Sequence, residues 1–373
     1  MSSMRIIHLS YAHITEHRDP AAWLNRINFF VAIVEQMAKE VEVKSIHCID
    51  YSGSLNRKGV EYHFINLSKF QMLLPLKLNS FVRQLKPDVV IVHGFHFPLK
   101  VLLLRWRLGP TIKIVIQHHA ERPLRHYKKV LQRLTDRFAS AYFFTARDQA
   151  EPWLSERQIA DPRKIYEVME VPSVFYPIDR VEASLKTKVS SSKIYLWVGR
   201  LEANKDPLTL IKAFSEFSIA NSDVHLYVIF QSDELVEEIK RLVGTSKTET
   251  QITLVGKVDH NELLYWYNSV DFIISTSHYE GSGIAVCEGM SCGAIPILTD
   301  IPSFRMMTGN ADCGLLFEAK DVASLVLALR KSLLMNLEIE REKTLLKYKL
   351  SLSVEAIVAK MIKVSRMITN IQT

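Results

Sequence analysis

Two carboxylates with seven residues between them, Glu280 and Glu288, bracket the turn Gly281-Ser282-Gly283-Ile284. A Gly-rich turn that opens a helix presents unpaired backbone N–H groups and the positive end of the helix dipole, which suits a phosphate or another polar ligand. Carboxylates accept hydrogen bonds, so this pair suits a ligand that carries hydroxyls beside its phosphates. The position that needs the third Gly of a dinucleotide fingerprint holds Val286, which weighs against a nicotinamide oxidoreductase. The plainer reading is a turn residue and a helix-surface residue.

A second constellation runs Val198-Gly199-Arg200-Leu201-Glu202-Ala203-Asn204-Lys205-Asp206-Pro207. It sets two cations on a strand-to-helix loop, with Pro207 suited to the first helical position. Cations at the carboxyl edge of a parallel sheet neutralise a diphosphate, although solvated loop charges read the same way. His93, His96, His118 and His119 fall at the tips of two strands and invite a zinc site, but their spacing lacks a clear ligand set. Strand-tip histidines more often meet substrate or water.

These residues need strands and helices to hold them. Short apolar, β-branched runs alternate with amphipathic stretches along the chain, as in parallel βαβ units. Strands are predicted at Arg5 to Leu9, Val41 to Ile49, Tyr62 to Leu67, Asp88 to His93, Lys113 to His118, Ala141 to Thr145 and Lys164 to Met169. Helices are predicted between them, at Trp23 to Lys39 and Lys128 to Phe138 among others. The polar stretch Val181 to Ser192 interrupts the pattern before a new alternation begins at Lys193 to Val198. Later strands are predicted at Val224 to Phe230, Gln251 to Val255, Asp271 to Ser275, Ile295 to Thr299 and Leu315 to Phe317. The expected fold is α/β, with two tandem doubly wound Rossmann-like domains facing a cleft where ligands meet the carboxyl ends of the strands. The domains are expected at 1–185 and 186–350, with a helix over 351–373 packing back toward the first.

The 373 residues suffice for two cores, and 48% hydrophobic with 23% charged residues is ordinary globular composition. The start MSSMRIIHLS lacks the pattern of a secretory signal, and no apolar run is long enough to span a membrane. Four cysteines without C-x-x-C spacing read as reduced thiols, so the chain is expected in the cytoplasm. The net charge is +7, yet the segment Arg83 to Arg137 alone holds 12 basic against 3 acidic residues, a net of +9. Its expected partner is anionic. Apolar residues interleave it at Val101-Leu102-Leu103-Leu104 and Trp106, which suits peripheral contact with the inner face of a membrane. No nucleic-acid-binding motif accompanies it.

In this order and spacing the motifs resemble the family 4 retaining glycosyltransferases of the GT-B fold. The resemblance is strongest over Ile194 to Phe317: Gly199-Arg200-Leu201 with Lys205, Gly256-Lys257-Val258, the Glu280 and Glu288 pair, and Gly289-Met290-Ser291-Cys292-Gly293-Ala294-Ile295-Pro296. It implies a hexosyltransferase-like enzyme of glycan biosynthesis that moves a sugar from a nucleotide-diphosphate sugar to a saccharide or lipid-linked acceptor. By it, Arg200 and Lys205 hold the diphosphate, Glu280 contacts the donor sugar, Glu288 accepts from the ribose hydroxyls, and the backbone near Val258 meets the base. Gly281, Ser282, Gly283 and Ile284 form the donor turn. His119, in Ile114-Val115-Ile116-Gln117-His118-His119, touches the transferred sugar.

The chain departs from the family at three places. The Gly pair after the first strand is replaced by Tyr11-Ala12-His13, and the Gly-rich turn after the second strand of the later domain by Phe230-Gln231-Ser232-Asp233. Ser282 stands where Phe is usual. No Asp-x-Asp pair occurs, so a metal-dependent transferase of the other common fold is disfavoured, and neither a metal nor a cofactor is expected beyond the nucleotide sugar. The alternatives that stay open are a nucleotide-sugar epimerase or a phosphorylase of the same fold, and a catalytically inactive nucleotide-sugar-binding protein.

Overall fold

The computed structural model describes residues 4–232, 234–246 and 248–370. Asp233, the last residue of one predicted turn, and residues 371–373 of the predicted C-terminal helix lie outside the described residues. The chain divides into two compact units, one running through Glu170 and completed from Val354, the other spanning Val171–Ser353. The first break falls earlier than the polar stretch Val181 to Ser192. Part of that stretch forms the helix Arg180–Thr187, whose contacts go to the helix Leu263–Ser269 of the second unit.

The first unit holds β1 (Arg5–Ile14), β2 (Glu42–Ile49), β3 (Gly53–Arg57), β4 (Val60–Phe64), β5 (Val89–His93), β6 (Lys113–Gln117), β7 (Ala141–Phe144) and β8 (Ile165–Glu167). They form one sheet in the order β3-β4-β2-β1-β5-β6-β7-β8, parallel except for the β3–β4 hairpin. The edge strand β3 (GSLNR) escaped the sequence reading because it is almost wholly exposed and carries no apolar alternation. The predicted helix Trp23 to Lys39 is two helices, Pro20–Arg26 and Asn28–Met37, separated at Ile27. Asp19 caps the first and Pro20 opens it.

The second unit holds β9 (Lys193–Gly199), β10 (Val224–Phe230), β11 (Ile252–Gly256), β12 (Phe272–Ser275), β13 (Ile295–Thr299) and β14 (Leu315–Phe317). Its sheet is wholly parallel, in the order β11-β10-β9-β12-β13-β14. Strand order reverses between β9 and β12, the switch point at which doubly wound sheets bind ligands. Buried side chains cover both faces: Tyr195, Trp197, Phe214 and Phe217 on one, Leu196, Ile229, Tyr267 and Ile273 on the other. Burial on both faces explains why these strands read as continuous apolar runs. Both units are thus Rossmann-like α/β structures, as expected.

The basic segment is less uniform than its composition. Arg105 spends its guanidinium on the carbonyls of Ile112 and Phe138, and Lys100 lies 4.5 Å from the Phe97 ring centroid. Val101 and Leu104 sit in the core of the first unit, which corrects the expectation that the run Val101 to Leu104 faces a membrane. All four cysteines are buried and unpaired. Among the described residues no helix is long and apolar enough to cross a membrane.

Candidate functional site

The paired strands β9 and β12 deliver both predicted constellations to one sheet edge. Arg200 follows β9 with its side chain 63% exposed and its guanidinium 3.5 Å from Glu202. Lys205 is more enclosed, at 21% exposure, and pairs with Glu280, whose carboxylate also accepts from Ser277 Oγ at 2.7 Å. Both cations are expected to be solvent-accessible without ligand; Arg200 is open to solvent and Lys205 is accessible in part. Asp206 adopts a left-handed conformation and caps the helix Pro207–Ile219 through Thr209 N–H. Its other oxygen meets His278 Nε2 at 2.8 Å.

Four further bonds fasten the two loops. Thr276 Oγ1 donates to the Lys205 carbonyl at 2.6 Å, His278 N–H to the Asn204 carbonyl at 2.8 Å, and Asn204 Nδ2 to the Tyr279 carbonyl at 3.0 Å. Trp197 Nε1 reaches Thr276 Oγ1 at 3.3 Å. Cation and carboxylate are therefore set before any ligand arrives, which lowers the cost of ordering them on binding. Where relatives keep a Gly-rich turn after the second strand, Ser232 Oγ here accepts from Leu201 N–H at 2.7 Å and ties that loop to the Arg200 loop.

Gly281, Ser282 and Gly283 lead into the helix Ile284–Ser291, with Gly283 as its N-cap at φ 60°. A Cβ on Gly283 would stand 2.7 Å from Phe304 Cε1, so both the backbone angle and the close approach require Gly. Ser282 is buried and Ile284 is exposed.

Glu288 lies further along that helix and is 5% exposed. His260 Nε2 meets one carboxylate oxygen at 2.8 Å and Tyr267 O–H donates to the other at 3.0 Å. The hydrogen bond to Glu288 raises the pKa of His260. Val258, two residues before His260, packs half-buried against the cluster that holds Tyr267 and Phe175. The loop after β11 is thereby drawn to Glu288, although β11 is the outer strand of the sheet. His260 and Tyr267 were missed in the sequence, because nothing in their spacing marks a pairing 28 or 21 residues away.

His119 belongs to the first unit, just past β6. Both of its ring nitrogens are engaged: Nδ1 meets Glu170, and Nε2 lies 3.2 Å from His93 Nδ1. Its backbone N–H donates to Glu121 at 2.6 Å. In this conformation no ring nitrogen is left for the sugar contact that the resemblance implied. Burial disfavours charge on the ring, but Glu170 and then Glu121 outweigh it and raise the pKa. His118 points elsewhere, with Nε2 2.8 Å from the Glu121 carbonyl oxygen. Among the described residues, no group of three or more His, Cys, Asp or Glu side chains is arranged to hold a metal ion.

Residues 182–348 match the family model described as Glycosyl transferases group 1. The D-inositol 3-phosphate glycosyltransferase of Arthrobacter sp. is 26% identical over 155 residues, which cover 40% of this chain and 37% of that protein. The chain thus spans little more than a third of that relative's length. A longer similarity, 23% identity over 311 residues and 80% of each protein, is to the N-acetylgalactosamine-N,N'-diacetylbacillosaminyl-diphospho-undecaprenol 4-alpha-N-acetylgalactosaminyltransferase of Campylobacter jejuni. A glycosyltransferase structure from Rickettsia africae superposes with a TM-score of 0.75 over 100% of both chains at 15% identity. The likeness to the group 1 glycosyl transferases therefore lies in residues 182–348, and the likeness that extends over the full length is one of fold, to GT-B glycosyltransferase structures.

Proposed function

We propose that the chain is a retaining, metal-independent glycosyltransferase that moves a sugar from a nucleotide-diphosphate sugar held by the second unit to a saccharide or lipid-linked acceptor. The observation that carries the reading is the fastened pair of loops after β9 and β12, where Arg200, the Lys205–Glu280 pair and the Gly283 helix start share one sheet edge. As the bond from the sugar's anomeric carbon to the phosphate oxygen loosens, Arg200, Lys205 and the helix N-terminus stabilise charge on the departing diphosphate. Glu280 accepts from a donor-sugar hydroxyl and Glu288, braced by His260 and Tyr267, from the ribose. The leaving phosphate takes the acceptor proton, so no strong protein base is required.

Thermal melting with UDP, GDP and ADP, and then with their sugars, tests it. A ligand that binds only the native state adds about 2.7 kcal/mol of stability at 100 times its Kd. One nucleoside diphosphate is expected to raise the melting temperature, and its sugar to be turned over to free diphosphate and a glycoside. No shift with any of the three overturns the donor reading, whereas a shift without turnover points to a binding protein.

The acceptor side of the reading is membrane-associated, at the cytoplasmic face. The name of the Campylobacter relative places its acceptor on a diphospho-undecaprenol. The helix His126–Asp136 has an inverted amphipathicity that suits such a surface: Gln132, Thr135 and Asp136 are buried, while Tyr127, Val130, Leu134 and, just beyond, Phe138 are exposed. Exposed Arg122, Arg125, Lys128, Arg133 and Arg137 flank that stripe, complementary to an anionic bilayer. Each such cation contributes about 1 kcal/mol near an acidic surface. The protein is expected to sediment with acidic vesicles at low salt and to be released as salt rises. Equal sedimentation with neutral and acidic vesicles would sink the membrane reading.

A further inference from the structure

Four side chains of the first unit stand in file. His8 Nδ1 and His93 Nε2 are 3.1 Å apart, His93 Nδ1 and His119 Nε2 are 3.2 Å apart, and His119 Nδ1 meets Glu170. Planes of neighbouring rings differ by only 26° and 21°. An ionised carboxylate only accepts, so the proton between Glu170 and His119 belongs to Nδ1. Two hydrogen arrangements then satisfy the remaining contacts. With a second proton on His119, its Nε2–H donates to His93, His93 Nε2–H donates to His8, and His8 presents Nε2–H at the far end. Without that proton both bonds reverse, and His8 presents a lone pair.

The far end is unsatisfied. His8 Nε2 is buried without a hydrogen-bond partner, and so is Gln117 Oε1. Both residues line a cavity of about 190 Å³ within the same unit, whose apolar side includes Ile27, Phe30 and Met361. An apolar cavity of about 150 Å³ accommodates a benzene ring. This one is larger, and three of its lining residues carry orphan polar atoms: His8 Nε2, Trp23 Nε1 and Gln117 Oε1.

We propose that this cavity is a binding subsite for one hydroxylated ring, with one hydroxyl accepting from His8 Nε2–H, another donating to Gln117 Oε1, and His93, His119 and Glu170 forming the file that holds His8 as a donor. That the ring is a sugar rests on the glycosyltransferase reading. The file and the cavity stand without it.

The electrostatics place the extra proton at the inner end. Burial, with a smaller push from His47, lowers His8 to about 3, and burial with His8, His119 and His47 puts His93 well below the ordinary imidazole value. His119 is raised by Glu170 and Glu121 against the effect of burial. The groups facing the file are His47 from β2, lowered to about 4 by burial, His118 and Glu121 after β6, and Glu170 after β8. The helices Asn28–Met37 and Val354–Thr369 bring Phe30 and Met361 to it, and neither titrates. Below the raised pKa of His119, His8 is a donor toward the cavity; above it, an acceptor.

Nitrogen NMR of histidine-labelled full chain tests this without any transfer assay. The expected result is one coupled titration, in which His8 and His93 switch from Nε2–H to Nδ1–H as His119 loses its proton. Glu170→Gln should move that switch down by about one pH unit or more. His93→Phe should leave His8 in one tautomer throughout. Methyl α-D-glucopyranoside or its 2-acetamido counterpart, at tens of millimolar, should shift the His8 Nε2 and Gln117 amide resonances more than toluene does. A His8 tautomer that stays constant through the His119 titration overturns the file. Preferential binding of toluene, or no shift with either glycoside, overturns the subsite. Absence of sugar transfer bears on the proposed function alone.

Discussion

Changing Arg200 and Lys205 together to Ala is expected to weaken nucleoside diphosphate binding by about two to three decades. A hydrogen bond to a charged group contributes roughly 1.5 to 3 kcal/mol, or about one to two decades in affinity, so two additive contacts span about two to four. The structure favours the lower half of that range. Lys205 already shares its charge with Glu280, and Arg200 stands 3.5 Å from Glu202, so part of each cation's attraction for phosphate replaces an existing one. The single variants should differ in kind. Arg200 is 63% exposed, and its loss should move stability by no more than about 0.5 kcal/mol. Loss of Lys205 removes the cation beside Glu280, whose side chain is 14% exposed, and should lower the melting temperature as well as the affinity. Calorimetry with the nucleoside diphosphate and thermal melting of the empty protein read the two effects separately. Undiminished binding by a folded double variant would place the donor elsewhere and remove the main support for the proposed transfer.

The split between what was legible in the sequence and what was not follows the reach of each interaction. Strands such as Val224–Phe230 and Ile295–Thr299 were read to the residue, because burial on both faces leaves an unbroken apolar run. The helix starts at Pro207 and after Gly283 were also legible, since Pro at a first helical position and a Gly-rich turn are local signals. What the sequence withheld were partners brought in from distant strands. Glu288 stood out as a carboxylate at the right spacing, but nothing near it announced that His260 and Tyr267 would occupy both oxygens. His119 stood out as a strand-tip imidazole, while Glu170, 51 residues on, and His93, 26 residues back, decide what its nitrogens do. The helix His126–Asp136 hid its orientation for the same reason: Gln132, Thr135 and Asp136 are buried, and nothing local in the sequence marks these polar residues as the packed face.

Asp271→Ala should cost the second unit about 3 to 5 kcal/mol, the largest loss of stability expected of any substitution considered, while leaving the donor residues in place. Asp271 is fully buried at the amino end of β12, the opposite end of that strand from Ser277 and Glu280. One oxygen accepts from Arg180 at 2.6 Å and the other from the backbone N–H of Ile194 in β9 at 2.9 Å. Arg341 stands 4.0 Å from the same carboxylate and donates to the Val270 carbonyl at 3.2 Å. Burial lowers the pKa of Arg341, and Arg180 lowers it further, whereas Asp271 favours its charge. Removing the carboxylate therefore leaves two part-exposed guanidiniums facing each other and the buried Ile194 N–H unpaired, and both losses cost stability. Asp271→Asn keeps the Ile194 bond but not the charge, and should fall between Ala and the parent. Because the backbone bonds from Asp271 N–H to Ile194 and from Ile295 N–H to Asp271 survive either change, the strand register is retained. Urea unfolding of the two variants, with nucleoside diphosphate affinity measured below the transition, separates a structural anchor from a site residue. A variant that loses affinity but not stability would mean that Asp271 acts on the donor after all.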